Sequence, residues 1–281
     1  MTELASRPRH TRRIGALRLG VRSMVVAYLG AFVLLPLSAV LKVGFSKGLW
    51  GFAQAILTPD AIAALWLTLQ TSLAMAAINA LLGTWIAYAL ARENFTGRTL
   101  VNALIDLPFA IPTLVTGVML VVLFGPQSSF GLWFGEHGVR IMYARPGIVL
   151  ALLFVTLPFV VRTVQPVLYE MDIANEEAAI TLGASPFLAF RKVTLPGLWP
   201  AIRTGTLLSF SRALGEFGSV VIVSGNIPRR TLTAAVLIYG EIESGRPEAA
   251  AAVSAVLLAV AFMSIVLVEN FQRGGLPREL A

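Results

Sequence analysis

Six apolar runs, each long enough to cross a membrane as a helix, constrain the fold of this chain more than any other feature. A helix rises 1.5 Å per residue, so about 20 apolar residues span the roughly 30 Å hydrocarbon core of a bilayer. The runs lie at residues 24–44, 62–90, 101–124, 146–168, 198–224 and 248–268. We therefore predict an all-α membrane protein with six transmembrane helices, the third kinked at Pro108 and Pro112.

The composition excludes several other classes of protein. Only 13% of the residues are charged, about half the share of a soluble domain. The chain has no cysteine, and its two histidines, His10 and His137, stand far apart. Disulfide frameworks, thiolate metal sites and zinc chemistry are therefore not expected, and we predict no cofactor bound to this chain.

A basic segment precedes the first apolar run. It contains Arg7, Arg9, Arg12, Arg13, Arg18 and Arg22. Arginines in this place are typical of the cytoplasmic flank of a membrane helix, so the net charge of +7 does not indicate nucleic-acid binding. No small-residue cleavage site follows residues 24–41, so we expect a retained helix rather than a signal peptide.

The distribution of lysine and arginine over the other loops, with an even number of spans, predicts that both termini are cytoplasmic. The resulting organisation is a basic cytoplasmic tail (1–23), a transmembrane domain (24–270) and a C-terminal cytoplasmic tail (271–281). The apolar stretch 232–242 on the outer side is too short to cross, and we expect it to dip into the outer leaflet.

The cytoplasmic loop at about 170–197 has the pattern of two short helices. In the first, Asn175 is the predicted cap, and Glu176 and Glu177 lie in the first turn, where the helix dipole favours acids. Gly183 is the predicted end of this helix.

The second helix of the loop begins with a capping serine followed by a first-turn proline, Ser185 and Pro186. Arg191 and Lys192 then occupy the predicted last turn, and Pro196 is expected to stop the helix. The sequence thus predicts a helix, a turn and a second helix on the cytoplasmic face.

The loop resembles the EAA loop of ABC importer permeases. The resemblance rests on Glu177-Ala178-Ala179, then Gly183 after three intervening residues, and Val193-Thr194-Leu195-Pro196 after nine more intervening residues. Three letters alone would fit any alanine-rich helix, but the spacing, the closing Leu-Pro and the position before the fifth run favour the family. The resemblance implies that Glu177, Ala178, Ala179, Gly183, Val193, Leu195 and Pro196 couple the chain to ATPase subunits. No GxxxxGK[ST] motif occurs in the sequence, so ATP and Mg are expected on those separate subunits, and this chain is not itself an enzyme.

Ionisable residues inside the apolar runs are costly and therefore informative. Asp106, Arg162 and Arg203 lie near the predicted cytoplasmic ends, where their side chains are expected to reach the headgroups. Arg212 and Glu216 lie deeper, and a four-residue spacing would place them on one helix face as an ion pair. That pair has two open interpretations.

One interpretation is a purely structural pair, and the other is a role in lining or gating the pathway. The candidate pathway or gating residues are Arg212, Gly215, Glu216 and Ser219. The small side chains among them also favour close approach of another helix. An intramembrane enzyme is a weaker interpretation, because no histidine, cysteine or second carboxylate joins the pair.

The stretch 212–218, Arg-Ala-Leu-Gly-Glu-Phe-Gly, followed by Ser-Gly-Asn-Ile-Pro at 224–228, resembles the permeases of oxyanion importers. Residues 106–113, 124–126, 153–162, 242–245 and 249–254 look most like the CysT type of sulfate/thiosulfate permease. The resemblance implies a type I (MetI-like) importer fold in the bacterial cytoplasmic membrane. It also implies a second related permease, ATPase subunits and a soluble sulfate-binding protein as partners. A molybdate or tungstate permease is the alternative.

Overall fold

The computed structural model describes residues 10–273, with side-chain detail for residues 20–267, and this part of the chain is helical without any strand. The tail predicted at 271–281 lies almost wholly outside the described residues, whereas the described part of the segment predicted as an N-terminal tail is helical from His10. The helices are α1 (His10–Leu29), α2 (Leu35–Gly44), α3 (Gly48–Ile56), α4 (Pro59–Arg92), α5 (Arg98–Ala110), α6 (Thr113–Phe124), α7 (Ser129–Glu136), α8 (Arg145–Glu170), α9 (Ala174–Thr181), α10 (Pro186–Ala189), α11 (Leu195–Leu214), α12 (Gly218–Val223), α13 (Ala234–Glu243) and α14 (Pro247–Arg273). Two π-helical turns join α1 to α2 and α10 to α11.

Four of the six predicted spans are continuous helices. In the described part of the chain, the stretches long and apolar enough to cross a membrane are Gly20–Gly44, Pro59–Arg92, Arg145–Glu170 and Pro247–Leu267. The ends of these four stretches lie within a few residues of the ends of the first, second, fourth and sixth predicted runs. Thr58 caps the second span, where its hydroxyl accepts a hydrogen bond from the amide of Ala61 at 3.3 Å.

The third predicted span is broken rather than kinked. Helices α5 and α6 meet at an angle of 115°. Ile111, directly before Pro112, has the extended backbone that a following proline enforces (φ −83°, ψ 127°). The chain therefore leaves the helical conformation at Ile111 and starts a new helix after Pro112.

The fifth predicted span is also divided, because α11 ends at Leu214 and α12 begins at Gly218. The expectation that Arg212 and Glu216 share one helix face is therefore wrong, since Glu216 lies in the break. The stretch predicted to dip into the outer leaflet forms helix α13, which packs against α14 and α4.

The core lies where α4, α8 and α11 pack together. It contains fully buried aliphatic side chains from all three helices, among them Leu90, Val160 and Leu198. Gly205 on α11 allows a close approach to α8, because a Cβ at this position would meet the Thr163 hydroxyl and lie 2.9 Å from the Val160 Cα.

We expect Gly205→Ala to lower the free energy of unfolding by about 1 to 3 kcal/mol, since the added methyl group must push α11 away from the α8 backbone. Gly240→Ala is the matched control, because a Cβ at this helical position meets nothing within 4 Å. The control is expected to gain about 0.5 to 1 kcal/mol of stability from better helix propensity. Thermal unfolding of the purified importer measures both, and equal melting temperatures would contradict the proposed close packing.

Candidate coupling loop and buried ion pair

The first loop helix, α9, begins differently from the prediction. Asn175 is not the cap, because it lies inside the helix. The residue just before the helix, Ile173, makes no side-chain capping bond. Asp172 instead accepts a hydrogen bond from the amide of Ala174 at 2.9 Å. Glu176 and Glu177 lie in the first turn as predicted.

Gly183 terminates α9 as predicted. Its φ of +92° is left-handed, a conformation that glycine adopts without steric cost. Its amide donates to the carbonyl of Ile180 at 2.9 Å, and the amide of Ala184 donates to the carbonyl of Ala179 at 3.0 Å. This pair of bonds defines a Schellman ending, which fixes the direction in which the chain leaves the helix.

The second loop helix begins as predicted and ends differently. The Ser185 hydroxyl caps it by accepting the amide of Leu188 at 3.3 Å. Pro196 does not stop the helix. Instead, the π-helical turn Phe190–Thr194 carries the chain directly into α11. A wide turn at this place accommodates a proline that cannot donate an amide hydrogen bond.

An ion pair that the sequence analysis missed attaches the loop to the membrane domain. The guanidinium of Arg92, at the end of α4, donates to one carboxylate oxygen of Glu176 at 3.0 and 3.2 Å. Tyr88 donates to the other oxygen at 3.2 Å, and Arg92 also donates to the carbonyl of Met171. The two charged side chains are 9% and 13% exposed, so solvent screens this pair little.

Much of the remaining surface of the loop is exposed, and several of its exposed side chains are apolar. Glu177 and Ala178 are exposed, and Ala179 is half-buried. Leu182 is 88% exposed and Phe187 is 63% exposed. The loop thus has one face held by Glu176 and one free face with apolar side chains, an arrangement typical of a protein interface.

The remaining predicted coupling residues lie in the segment that continues into the fifth span. Val193 and Leu195 are half-buried, and Pro196 is exposed at the start of α11. The π-helical turn that contains Val193 contacts α9. The structure therefore brings the two parts of the predicted motif together in one unit that is continuous with a membrane helix.

Arg212 and Glu216 form an ion pair, with 2.8 Å between the Nη1 atom of Arg212 and the Oε2 atom of Glu216. The other carboxylate oxygen of Glu216 accepts both the amide and the hydroxyl of Ser219 at 3.0 Å. Glu216 therefore caps α12 while it pairs with α11. Its side chain is 2% exposed, whereas that of Arg212 is 37% exposed. Gly215 lies in the break beside them.

The other charges inside the spans have partners that the sequence analysis did not identify. Arg162 on α8 donates to both carboxylate oxygens of Asp106 on α5 at 2.7 Å. It also binds the side chain and the carbonyl of Asn102. The Arg203 guanidinium stacks over Trp199 at 4.8 Å. The expectation that these charges only reach toward the headgroups is therefore incomplete for Asp106 and Arg162, which join two helices.

Comparison with solved structures defines the class of fold. The chain superposes on a bacterial ABC transporter involved in the import of the acidic polysaccharide alginate with a TM-score of 0.77, 16% identity and coverage of 96% of this chain and 100% of that one. The methionine ABC transporter MetNI gives a TM-score of 0.60 at 16% identity, covering 77% and 96%. The fold is that of a type I ABC importer permease.

Comparison of sequences identifies the family. The profile of the binding-protein-dependent transport system inner membrane component matches residues 79–274. The sulfate transport system permease protein CysT of Synechocystis is 41% identical over 252 residues, which cover 90% of this chain and 88% of that protein. CysT of Escherichia coli is 40% identical over 241 residues, covering 85% and 87%. The chain belongs to this family of importer permeases, within its CysT branch.

Proposed function

We propose that this chain is a membrane-spanning subunit of an ATP-driven importer that carries sulfate or thiosulfate across the bacterial cytoplasmic membrane. The observation that carries the proposal is 40 to 41% identity, over most of both chains, to proteins named as sulfate permeases. Those names give no support to the molybdate or tungstate alternative. The fold, with a polar site at the break in the fifth span, supports transport rather than catalysis.

The proposed partner on the cytoplasmic side is an ATPase subunit, which binds ATP and Mg. The exposed side chains of Leu182 and Phe187 give it an apolar surface to bind, and Glu177 adds a carboxylate for a basic group. The Glu176 pair and the Schellman ending keep this surface in a fixed orientation. Movement of the ATPase would therefore be transmitted to α11 rather than lost within a flexible loop.

A second, related permease and a soluble sulfate-binding protein complete the proposed importer. None of the residues in the most apolar window of the first span is buried in this chain. An adjoining permease would cover part of this surface. The basic segment before the first span supports cytoplasmic termini, and the binding protein then contacts the opposite, outer face.

The proposed cycle is alternating access. Closure of the ATPase subunits moves the coupling loop and opens the path outward, and hydrolysis returns the importer to an inward-open state. The broken fifth span is suited to this motion, because its two parts are joined by residues outside the helical hydrogen-bond ladder.

Uptake of radiolabelled sulfate by cells that lack this chain tests the proposal, with a complemented strain as the control. We expect uptake to disappear in the deletion strain and to return on complementation, and we expect modest excess of molybdate not to compete. Intact sulfate uptake with lost molybdate accumulation would show that the cargo assignment is wrong.

A further inference from the structure

An open groove of about 810 Å³ lies between the first span and helices α11 and α14, and its lining is almost entirely apolar. Phe45 and Phe52, whose rings stack at 4.1 Å, line the end farther from the coupling loop. The wall on α14 extends from Ala255 to Leu267, about 18 Å of helix at 1.5 Å per residue. One leaflet of a bilayer contributes about 15 Å of hydrocarbon. The groove therefore has the length and the lining that suit one acyl chain.

The groove lies on the side of α11 that faces away from the charge of the fifth span. Phe210, in the groove wall, and Arg212 are two residues apart, so their side chains point about 200° apart around the helix. The Arg212 side chain is 37% exposed in this chain. A charged side chain inside a span faces the interior of a bundle or a water-filled path rather than hydrocarbon. The opposite side of α11, with the groove, is thereby turned toward the lipid.

A basic side chain lies at the end of the groove nearer the coupling loop. Arg203 precedes Phe210 by two turns of α11, so it lies on the same side of the helix and about 10 Å nearer the loop. It is exposed, and its guanidinium stacks over Trp199 at 4.8 Å. Tryptophan and arginine are both typical of the headgroup level of a bilayer. The N–H groups of a guanidinium lie in its plane and bind phosphate in a bidentate manner.

We propose that this groove binds one acyl chain of an anionic phospholipid, whose phosphate is bound by Arg203 beside Trp199. The inference rests on the proposed function only for the orientation of the chain, which places Arg203 in the cytoplasmic leaflet. A zwitterionic phospholipid offers the same acyl chains, but its headgroup also carries a positive charge, which Arg203 repels. An anionic lipid is therefore preferred.

The bound lipid has a structural consequence for the first span. That span packs closely on α14 at its outer end, where a Cβ at Gly44 would lie 3.3 Å from the backbone of Ala251. The acyl chain fills the space between the first span and α11, and it holds the first span against the fifth through apolar contacts. A helix of a second permease is the other occupant of suitable shape, and the variants below distinguish the two.

Native mass spectrometry of the purified, complete importer counts the bound lipids after incubation with mixed vesicles of phosphatidylglycerol and phosphatidylethanolamine. Ala259→Phe fills the groove, because Ala259 is exposed on its α14 wall. This variant is expected to retain one phospholipid fewer for each copy of the chain. Leu258→Phe is the matched control, since the neighbouring Leu258 is 39% exposed and does not line the groove. It should retain as many lipids as the wild type.

Arg203→Gln leaves the groove intact and removes its charge. It is expected to retain the lipid, with the preference for phosphatidylglycerol reduced about fivefold, the effect of one basic residue near an anionic membrane surface. Arg230→Gln removes an exposed arginine beyond the other end of the fifth span and should leave the preference unchanged.

Two results would overturn the proposal. An unchanged lipid count in Ala259→Phe, with or without loss of the second permease from the complex, would show that no lipid occupies the groove. An equal preference in Arg203→Gln and the wild type would show that Arg203 does not bind the headgroup. The lipid counts do not depend on which anion the importer carries, so they can fail while sulfate uptake is confirmed, and the reverse.

Discussion

Arg212→Met is expected to lower the free energy of unfolding by about 3 to 5 kcal/mol, since it leaves a buried carboxylate without its ion-pair partner. Glu216 is 2% exposed and cannot reach solvent to recover its hydration. Glu216→Gln should cost less, about 1 to 2 kcal/mol. Its amide oxygen can still accept the hydrogen bonds from Ser219. Arg212, left without its ion-pair partner, is 37% exposed and can turn toward water.

The double variant Arg212→Met/Glu216→Gln should be more stable than Arg212→Met alone, because it removes the unpaired buried charge. Denaturant unfolding of the four proteins forms a double-mutant cycle that measures the pair directly. Additive losses would contradict the pairing.

Sulfate uptake by the same four strains decides between the two interpretations of the pair. If the double variant recovers both stability and uptake, Arg212 and Glu216 are a structural pair. Recovered stability without recovered uptake would assign them to the pathway or its gate, together with Gly215 and Ser219.

The sequence was sufficient to predict the four continuous membrane spans because apolar length is a local property. It also predicted the end of α9, since Gly183 determines that turn by its own backbone freedom. The break at Ile111 was only partly predicted. Pro108 and Pro112 indicate a bend, but the angle of 115° depends on how α5 packs on α8 and how α6 packs on α12 and α8.

The break in the fifth span could not be predicted in the same way, because no proline causes it. Glu216 lies just before α12, and its carboxylate accepts a hydrogen bond from the amide of Ser219 in the first turn of that helix. Gly215 and Gly218 were visible signals, since two glycines around a buried charge weaken a helix. From the sequence, Gly215 was interpreted as a candidate pathway or gating residue and as a site of close helix packing, not as the end of a helix.

The two adjacent glutamates of the coupling loop show a further limit. Glu176 and Glu177 are about 100° apart around the helix, so only one of them can face the membrane domain. The partner that selects Glu176 is Arg92, 84 residues earlier in the chain. Local spacing within the loop does not contain that information.

Arg92→Met is therefore expected to loosen the coupling loop and to reduce sulfate uptake at least about tenfold, the equivalent of about 1.4 kcal/mol of lost coupling. The substitution leaves Glu176, 13% exposed, with Tyr88 as its remaining partner. Hydrogen exchange of residues 174–189 in the complete importer should become faster, because these amides lose the contact that orders them.

Glu177→Gln is the matched control for Arg92→Met. It changes the charge of the next residue, which is exposed and lies about 100° around the helix from Glu176. Its loop should exchange at the wild-type rate, and any loss of uptake should follow from weaker binding of the ATPase. The double variant Arg92→Glu/Glu176→Arg, which exchanges the two charges, should restore part of the protection of the loop against hydrogen exchange.

If Arg92→Met and Glu177→Gln instead give the same exchange rates and the same loss of uptake, the Arg92–Glu176 pair has no separate role. If they differ as expected, the two glutamates have different functions in the loop. Glu176 fixes the orientation of α9 against the membrane domain, and Glu177 lies on the surface offered to the ATPase. A force applied at that surface then reaches α11, and through it the Arg212–Glu216 pair, because the loop cannot turn independently of α4.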